Sequence, residues 1–283
     1  MTVKEAPVTP PVTAPRPGLH RHLNTTLPRV LSVVLLLGFW QLVVPHLSTL
    51  LIPTPLEIGQ TMLSELQGQT TARATVYESF AITLSRLGVG LVLSLVIGTA
   101  IGVAMGMSSR FDTMLRDFVY GGLAMPYVIW ALLVALWFGF TFTTPVVVVV
   151  LASIPFVITN VAEGVRAVPK DIVDMARSFS VPNHHVLRHV VVPSIMPFFF
   201  AAFRYAVSLG WKALAVAEVF GSSSGAGWVI RYFFDGRQME GLFAYLGFFI
   251  IFAIVMDFLV FKLLSDRVFR WRPSRASSGR VGV

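Results

Sequence analysis

From Phe118 through Ala162 the chain carries no Asp, Glu, Lys or Arg. At 1.5 Å per residue, one helix over that stretch would be more than twice the ~30 Å thickness of a bilayer core. Two consecutive spans are therefore required, and the sequence offers one place to divide them, Gly139-Phe-Thr-Phe-Thr-Thr-Pro145. This predicts spans over about 120–138 and 145–161, interrupted by Pro126 and Pro155, where a missing N–H kinks the helix. The same reasoning places spans at about 30–47, 78–107, 195–220 and 241–261. With 55% hydrophobic and 13% charged residues and a mean hydropathy of +0.75, the expected class is an all-α polytopic membrane protein with six transmembrane helices.

Residues 1–28 hold Pro7, Pro10, Pro11, Pro15 and Pro17 among polar residues, a composition that reads as a disordered N-terminal tail. It is too long and too proline-rich to be a cleaved signal peptide. The six-span domain is expected over 29–271, followed by a flexible basic tail over 272–283. After the first span, Leu56, Gln60, Leu63 and Leu66 recur at helical spacing. They predict an amphipathic helix on the outer surface or a solvated helix packed on the protein. In the second span Gly98, Gly102 and Gly106 share one helix face, which lets another backbone approach closely.

The longest polar insertion is 163–197, EGVRAVPKDIVDMARSFSVPNHHVLRHVVVPSIMP. Pro169 suits the first turn of a helix, Asp171 and Asp174 its positive end, and Arg177 its negative end. Pro182 stops that run, and a second short helix is expected over about 183–190, ending before Pro193 and Pro197. Two short helices with a bend near 180–182 suit a rigid docking element. His185 and His189 are spaced i, i+4, but no carboxylate stands between them and no metal site is assigned. Cysteine is absent, which excludes disulfides and thiolate chemistry.

Asp174-Met175-Ala176, three residues, Ser180, nine residues, then Val190-Val191-Val192-Pro193 resembles the "EAA, three, G, nine, I, one, LP" loop of ABC importer permeases. Asp, Met, Ser and Val replace motif residues; the Ser for Gly exchange matters most, because Gly permits a left-handed bend that Ser adopts less readily. Ala217-Glu218 with Gly225-Ala226-Gly227-Trp228 resembles the "AE … GxG" segment of permeases for taurine, alkanesulfonates and nitrate. The resemblance runs from about Pro53 to Trp271. It implies a type I ABC importer permease fold in a bacterial inner membrane and an ATPase-coupling loop carrying Asp174, Met175, Ala176, Ser178, Ser180, Val181, Pro182, His185 and Pro193. It also implies partners: a dimer of cytosolic ATP-binding subunits, a second permease copy forming a homodimer, and an extracytoplasmic binding protein. No cofactor is implied, and the chain carries no nucleotide-binding motif or catalytic set of its own.

Charge placement sets the expected orientation. Of the 22 Lys and Arg, sixteen fall in residues 1–29, the second-to-third connection, the 163–197 loop and the C-terminal segment from Lys262 onward. Positive-inside bias puts these segments, and both termini, in the cytoplasm. The net charge of +8 follows from that orientation, and no nucleic acid partner is invoked. Arg204, Lys212 and Glu218 fall within or at the end of the fifth span. Charges at that depth usually face a bundle interior or a watery path, so the three are candidates for a translocation path. Lys212 has a second reading, structural pairing, and Arg204 a second, snorkelling to headgroups. The expected substrate is a small anion such as a sulfonate, taurine or nitrate; related permeases for pyrimidine precursors or aromatic acids are the alternative. An ion-coupled secondary transporter would need its own ion site and often shows inverted repeats, and none is evident.

Overall fold

The protein, described here as a computed structural model over residues 19–47 and 52–258, is helical throughout its regular structure. The chain divides into two units, residues 1–57 and 58–283. In the first, α1 (Leu19–Val43) begins within the expected tail and carries Pro28 inside it, so residues 19–28 extend the helix. Residues 1–18 of that tail, and the expected C-terminal tail, lie outside the described residues. Val33, Leu36, Phe39 and Leu42 of α1 are exposed, as a helix solvated by lipid would leave them.

Helix α2 (Pro55–Leu66) starts with proline at its first position and a reciprocal cap. Thr54 Oγ1 accepts the Glu57 N–H (3.3 Å) and Glu57 Oε2 accepts the Thr54 N–H (2.7 Å), satisfying two orphan donors. These bonds to Thr54 hold the Glu57 carboxyl below its usual range. The helix leaves Leu56, Leu63 and Leu66 exposed and buries Glu65. The Thr70 hydroxyl donates to Glu65 Oε1 (3.0 Å), and Tyr245 OH stands 3.5 Å from Oε2. Burial pushes the Glu65 carboxyl upward, against both hydroxyls. The amphipathic helix expected from sequence is thus present, with its leucine stripe outward and one acid inward.

Helix α3 (Val76–Met107) opens on a second capping box, Thr75 with Glu78. Next come α4 (Ser109–Ala124) and α5 (Tyr127–Phe138), then α6 (Thr143–Arg166) and the short α7 (Lys170–Ser178). After α8 (Asn183–Val186) a π-helical turn (Leu187–Val191) leads into α9 (Val192–Gly221), followed by α10 (Ala226–Asp235) and α11 (Met239–Met256). Among the described residues four helices are long and apolar enough to cross a membrane: α3, α6, the run His184–Gly221 and α11. The interruption expected at Pro126 within 120–138 is a full break in the helix. Residues 109–138 bend by 100° between α4 and α5. Met125 and Pro126 are both extended there (ψ 121° and 131°), because the proline ring disfavours helical backbone in the residue before it. Pro155, by contrast, sits inside α6 without ending it.

Helix α6 is the centre of the second unit; Val148, Val149, Val157 and Val161 are fully buried. Its contact with α3 follows a fixed register. A Cβ added at Gly90, Gly98, Gly102 or Gly106 would lie 2.5–2.9 Å from a side-chain carbon of Val149, Val157, Val161 or Val165 respectively. Each pair is separated by the same 59 positions, so the two helices run parallel, interlocked every fourth residue. The register also sets Ser94 against Ser153, both fully buried. The glycine face read from the sequence is therefore a seat for a valine ridge of the same chain.

Substituting Gly102 with Ala should overpack this seam, since the new Cβ meets Ile158 O at 2.8 Å and Val161 Cβ at 2.9 Å. Overpacking of this kind costs about 1–3 kcal/mol and should lower the thermal midpoint in detergent. Gly88→Ala, whose Cβ meets nothing within 4 Å, should leave it unchanged or raise it. Equal effects at the two positions would remove the interlock as the determinant of packing.

Candidate functional site

The polar loop starts from a tied-down base. Asp112, at the start of α4, pairs with Arg116 on its own helix and with Arg166 at the end of α6. Beyond it α7 ends in a left-handed turn: the Val181 N–H bonds the Ala176 carbonyl five residues back (3.0 Å), and Ser180 has φ 54°. This is the Schellman geometry in which glycine usually takes the left-handed position. Ser180, the residue standing in the motif's glycine position, adopts the bend at a cost of about 1 kcal/mol. Around the turn Ile172, Met175, Phe179 and Val181 are exposed, Phe179 at 77%. Asp174, Ser178, Ser180, Pro182 and His185 are exposed with them and Ala176 is half-buried. The Ser178 hydroxyl donates to the Asp174 carbonyl (3.0 Å), and the Pro182 carbonyl accepts the His185 N–H (2.9 Å). The rings of His184, His185 and His189 follow at 4.3 and 5.6 Å.

The second loop helix does not end before Pro193. It continues through the π turn into α9, the Val192 N–H reaching the Leu187 carbonyl five residues back. Proline lacks the N–H that the α-ladder needs. The wider turn lets Pro193 enter in the first turn of α9, where that donor is not required. A single helical run therefore joins the loop to the fifth span.

Of the three charges expected in that span, two lie open and one is sealed. Arg204 Nη2 stands 3.8 Å from Asp257 Oδ1, with side chains 64% and 67% exposed. Lys212 is exposed and borders a hollow of about 80 Å³ with Ser208, Trp211 and Asp257. Glu218 is 0% exposed and turned away from both cations of its helix. Its Oε1 accepts from Arg86 Nη1 of α3 at 2.7 Å, and its Oε2 from the Thr83 hydroxyl (2.8 Å) and the Gly227 N–H (3.0 Å). Glu218, expected with Arg204 and Lys212 along a path, has its carboxylate enclosed by these donors and joins helices.

Arg86 has three further contacts. Nη1 donates to the Ser224 carbonyl (2.7 Å), Nη2 to the Ser224 hydroxyl (2.8 Å), and the guanidinium lies 5.0 Å from the centroid of Phe142. Thr83 Oγ1 also accepts the Ala226 N–H (2.9 Å). The start of α10 thus rests on Glu218, where a helix N-terminus favours negative charge. Gly225 is required twice over: its φ is 99°, and a Cβ there would meet Glu218 Oε1 at 2.2 Å. A Cβ on Gly227 would meet Glu218 Cβ at 2.6 Å. The "AE … GxG" pattern is therefore one contact, a buried acid with glycines that let a helix end close over it. Sequence reasoning left Arg86 unassigned. The available signal was its position as the one charge between Glu78 and Arg110, matched by one acid in the last turn of α9.

Comparison with known proteins follows the same lines. The family described as "Binding-protein-dependent transport system inner membrane component" matches residues 90–270. A putative aliphatic sulfonates transport permease protein of Bacillus subtilis (strain 168) is 26% identical over 250 residues, 87% of each chain. The taurine transport system permease protein of Escherichia coli (strain K12) is 24% identical, covering 84% of this chain and 86% of that one. A nitrate import permease protein of Synechococcus elongatus is 25% identical, covering 74% and 76%. Among solved structures, a chain of the MetNI methionine ABC transporter in inward facing conformations aligns with a TM-score of 0.56 at 17% identity. The alignment covers 67% of this chain and 92% of that one, a likeness of fold.

Two outcomes test this geometry. Arg86→Met should cost about 3–5 kcal/mol by leaving a buried carboxylate uncompensated, read as lost folded yield or a lowered thermal midpoint. The double variant Arg86→Met/Glu218→Gln should recover part of that loss; no recovery would mean that the two residues act independently. At the turn, Ser180→Gly should preserve or raise the loop's resistance to proteolysis, and Ser180→Val should lower it. The opposite order would contradict the left-handed assignment.

Proposed function

Because this chain belongs to the family of binding-protein-dependent transport system inner membrane components, we propose that it is the membrane-spanning permease subunit of an ATP-binding-cassette importer for a small anion. The observation that carries the reading is the exposed turn at the end of α7. Met175, Phe179 and Val181 form an apolar knob, ringed by Asp174, Ser178 and His185, on a short helix tied to the end of α6. A cytosolic ATP-binding subunit is the partner that such a knob fits. ATP favours the closed ATPase dimer; docking at Asp174–His185 conveys that closure to the loop, and the loop is continuous with α9. Binding to one ATPase state more tightly than another biases the spans between outward and inward states by that difference.

The assembly in this reading has two permease copies, two ATPases and an extracytoplasmic binding protein, with both termini and the 163–197 loop in the cytoplasm, as the excess of Lys and Arg on that side supports. The permease contributes a path and a linkage and performs no covalent chemistry. Relatives named for aliphatic sulfonates, taurine and nitrate support an anionic substrate, as do the exposed Arg204 and Lys212 within a largely apolar helix. Glu218 takes a structural part in place of a path-lining one.

Co-expression with the ATPase and affinity purification tests the reading. The wild-type chain should retain the ATPase, and Asp174→Lys, which reverses a charge beside the knob, should lose most of it while remaining folded. Absence of any ATPase from the wild-type preparation would sink the importer reading. Undiminished retention by Asp174→Lys would remove this loop as the docking element.

A further inference from the structure

Helix α2 is inverted for a surface helix. It leaves Leu63 and Leu66 outward and turns Glu65 inward, at 2% exposure. The inner face rests on α11, where a Cβ added at Gly247 would meet Met62 Sδ at 3.2 Å. An acid on that face gives up its hydration. An ionised carboxylate tolerates this only where a cation or a full set of donors replaces the water.

Glu65 has neither. The connection after α2 brings Thr70, whose hydroxyl accepts the Ala72 N–H (3.0 Å) and donates to Glu65 Oε1 (3.0 Å). Helix α11 brings Tyr245, whose OH is 3.5 Å from Oε2, longer than an ordinary O–H···O bond. Helix α3 brings Ser79, fully buried beside that phenol. Tyr245 is the titratable group among these. The charged side chains that the same stretches carry, Arg73, Glu78 and Glu240, are exposed, and among the described residues no cation lies within ion-pair distance of Glu65. The buried Glu218 is the internal contrast, with a guanidinium at 2.7 Å, a hydroxyl at 2.8 Å and an N–H at 3.0 Å. A neutral acid fits the Glu65 site where an anion does not. It keeps the Thr70 bond on one oxygen and offers a proton toward the tyrosine oxygen from the other.

We propose that Glu65 is a proton-operated latch: as a carboxylic acid it holds α2 on α11, and on ionising it releases the helix. The sign follows from linkage. Burial raises this carboxyl above its ordinary value, against the two hydroxyls, so the docked helix binds the proton more tightly than the released one. The contact is at full strength below the ordinary carboxyl value of 4.5, and it is lost as pH rises through the raised one. Release reaches beyond α2. The connection that Glu65 anchors through Thr70 is tied at Thr71 to α10 and its end: the Thr71 carbonyl accepts the Tyr232 OH (3.2 Å), and its hydroxyl donates to Gln238 Oε1 (3.2 Å). In the orientation set by Lys and Arg this is the extracytoplasmic face, so the latch senses the medium outside. The latch rests on the importer reading for nothing else.

The chain has no cysteine, so a single introduced thiol reports the contact. Met62→Cys, on the face toward α11, is treated with N-ethylmaleimide in open membrane fragments carrying the full chain, from about pH 5 to about pH 8, a range that covers a raised carboxyl. Gln67→Cys, exposed just past the helix, gives the reference rate at each pH and corrects for thiol ionisation. The ratio of the two rates should rise about tenfold across the range, the change in population that one unit of raised pKa supplies. Adding Glu65→Gln, which keeps the shape and cannot ionise, should hold the ratio at its acid value throughout. Adding Thr70→Val, which removes a donor to the ionised form, should carry the rise to higher pH. A flat ratio with Glu65 in place, or an equal rise with Glu65→Gln, would overturn the latch. So would a rise that Thr70→Val leaves unmoved or brings to lower pH. The measurement needs neither ATP nor a transported substrate, so ATPase retention on purification decides the importer reading separately.

Discussion

Helices in lipid gain little from hiding apolar surface against one another, so their association depends on how closely their backbones approach. In this chain that approach is made by four glycines of α3 seated against four valines of α6 at one constant register. The seam fixes α6 as the axis of the bundle, and both other large contacts are arranged around it. Helix α9 packs on another side of α6, with Gly210 close to Val149 and Ser153. The bend after α4 brings Gly122 against Pro155. The proline in the middle of α6 thus serves as a packing surface for a helix that a different proline has broken.

The two ion pairs divide the work that intramembrane charge can do. Arg86 and Glu218 satisfy each other and, with Thr83, Ser224 and the start of α10, join three helices and a glycine-rich turn in one neutral cluster. Such a cluster holds the region in a single arrangement, since any opening would strand a charge. Arg204 and Asp257 sit at the opposite extreme, 3.8 Å apart and exposed.

How much of this was legible in the sequence depended on whether the signal was local. The uncharged run from Phe118 to Ala162, the glycine spacing and the polar loop each speak through composition or period, and the helices stand close to where they were expected. The bend at Pro126 was signalled only as an interruption. A lone proline does not tell whether a helix will run on, as α6 does through Pro155, or break, because neighbouring packing decides. Pro193 shows the same limit: it reads as a stop, yet a π turn admits it. The partner of Glu218 was out of reach because α3 and α9 are 132 positions apart at the pair, and no periodicity links them. At Ser180 the sequence departed from its motif while the backbone did not. The turn is set by Pro182 and the end of α7, and serine accepts the geometry that glycine would have entered freely.

The continuity of the run from His184 to Gly221 has a mechanical side. Thirty-eight helical residues make a strut of ~57 Å, long enough to connect a surface outside the bilayer with its far face without a joint. The π turn is the single place along it where the helix is overfull by one residue. Were that residue returned to an ordinary α turn, the loop end would shift against the remainder by ~1.5 Å in height and ~100° in rotation. That notch lies between the exposed turn at the end of α7 and the helix that carries the exposed Arg204 and Lys212.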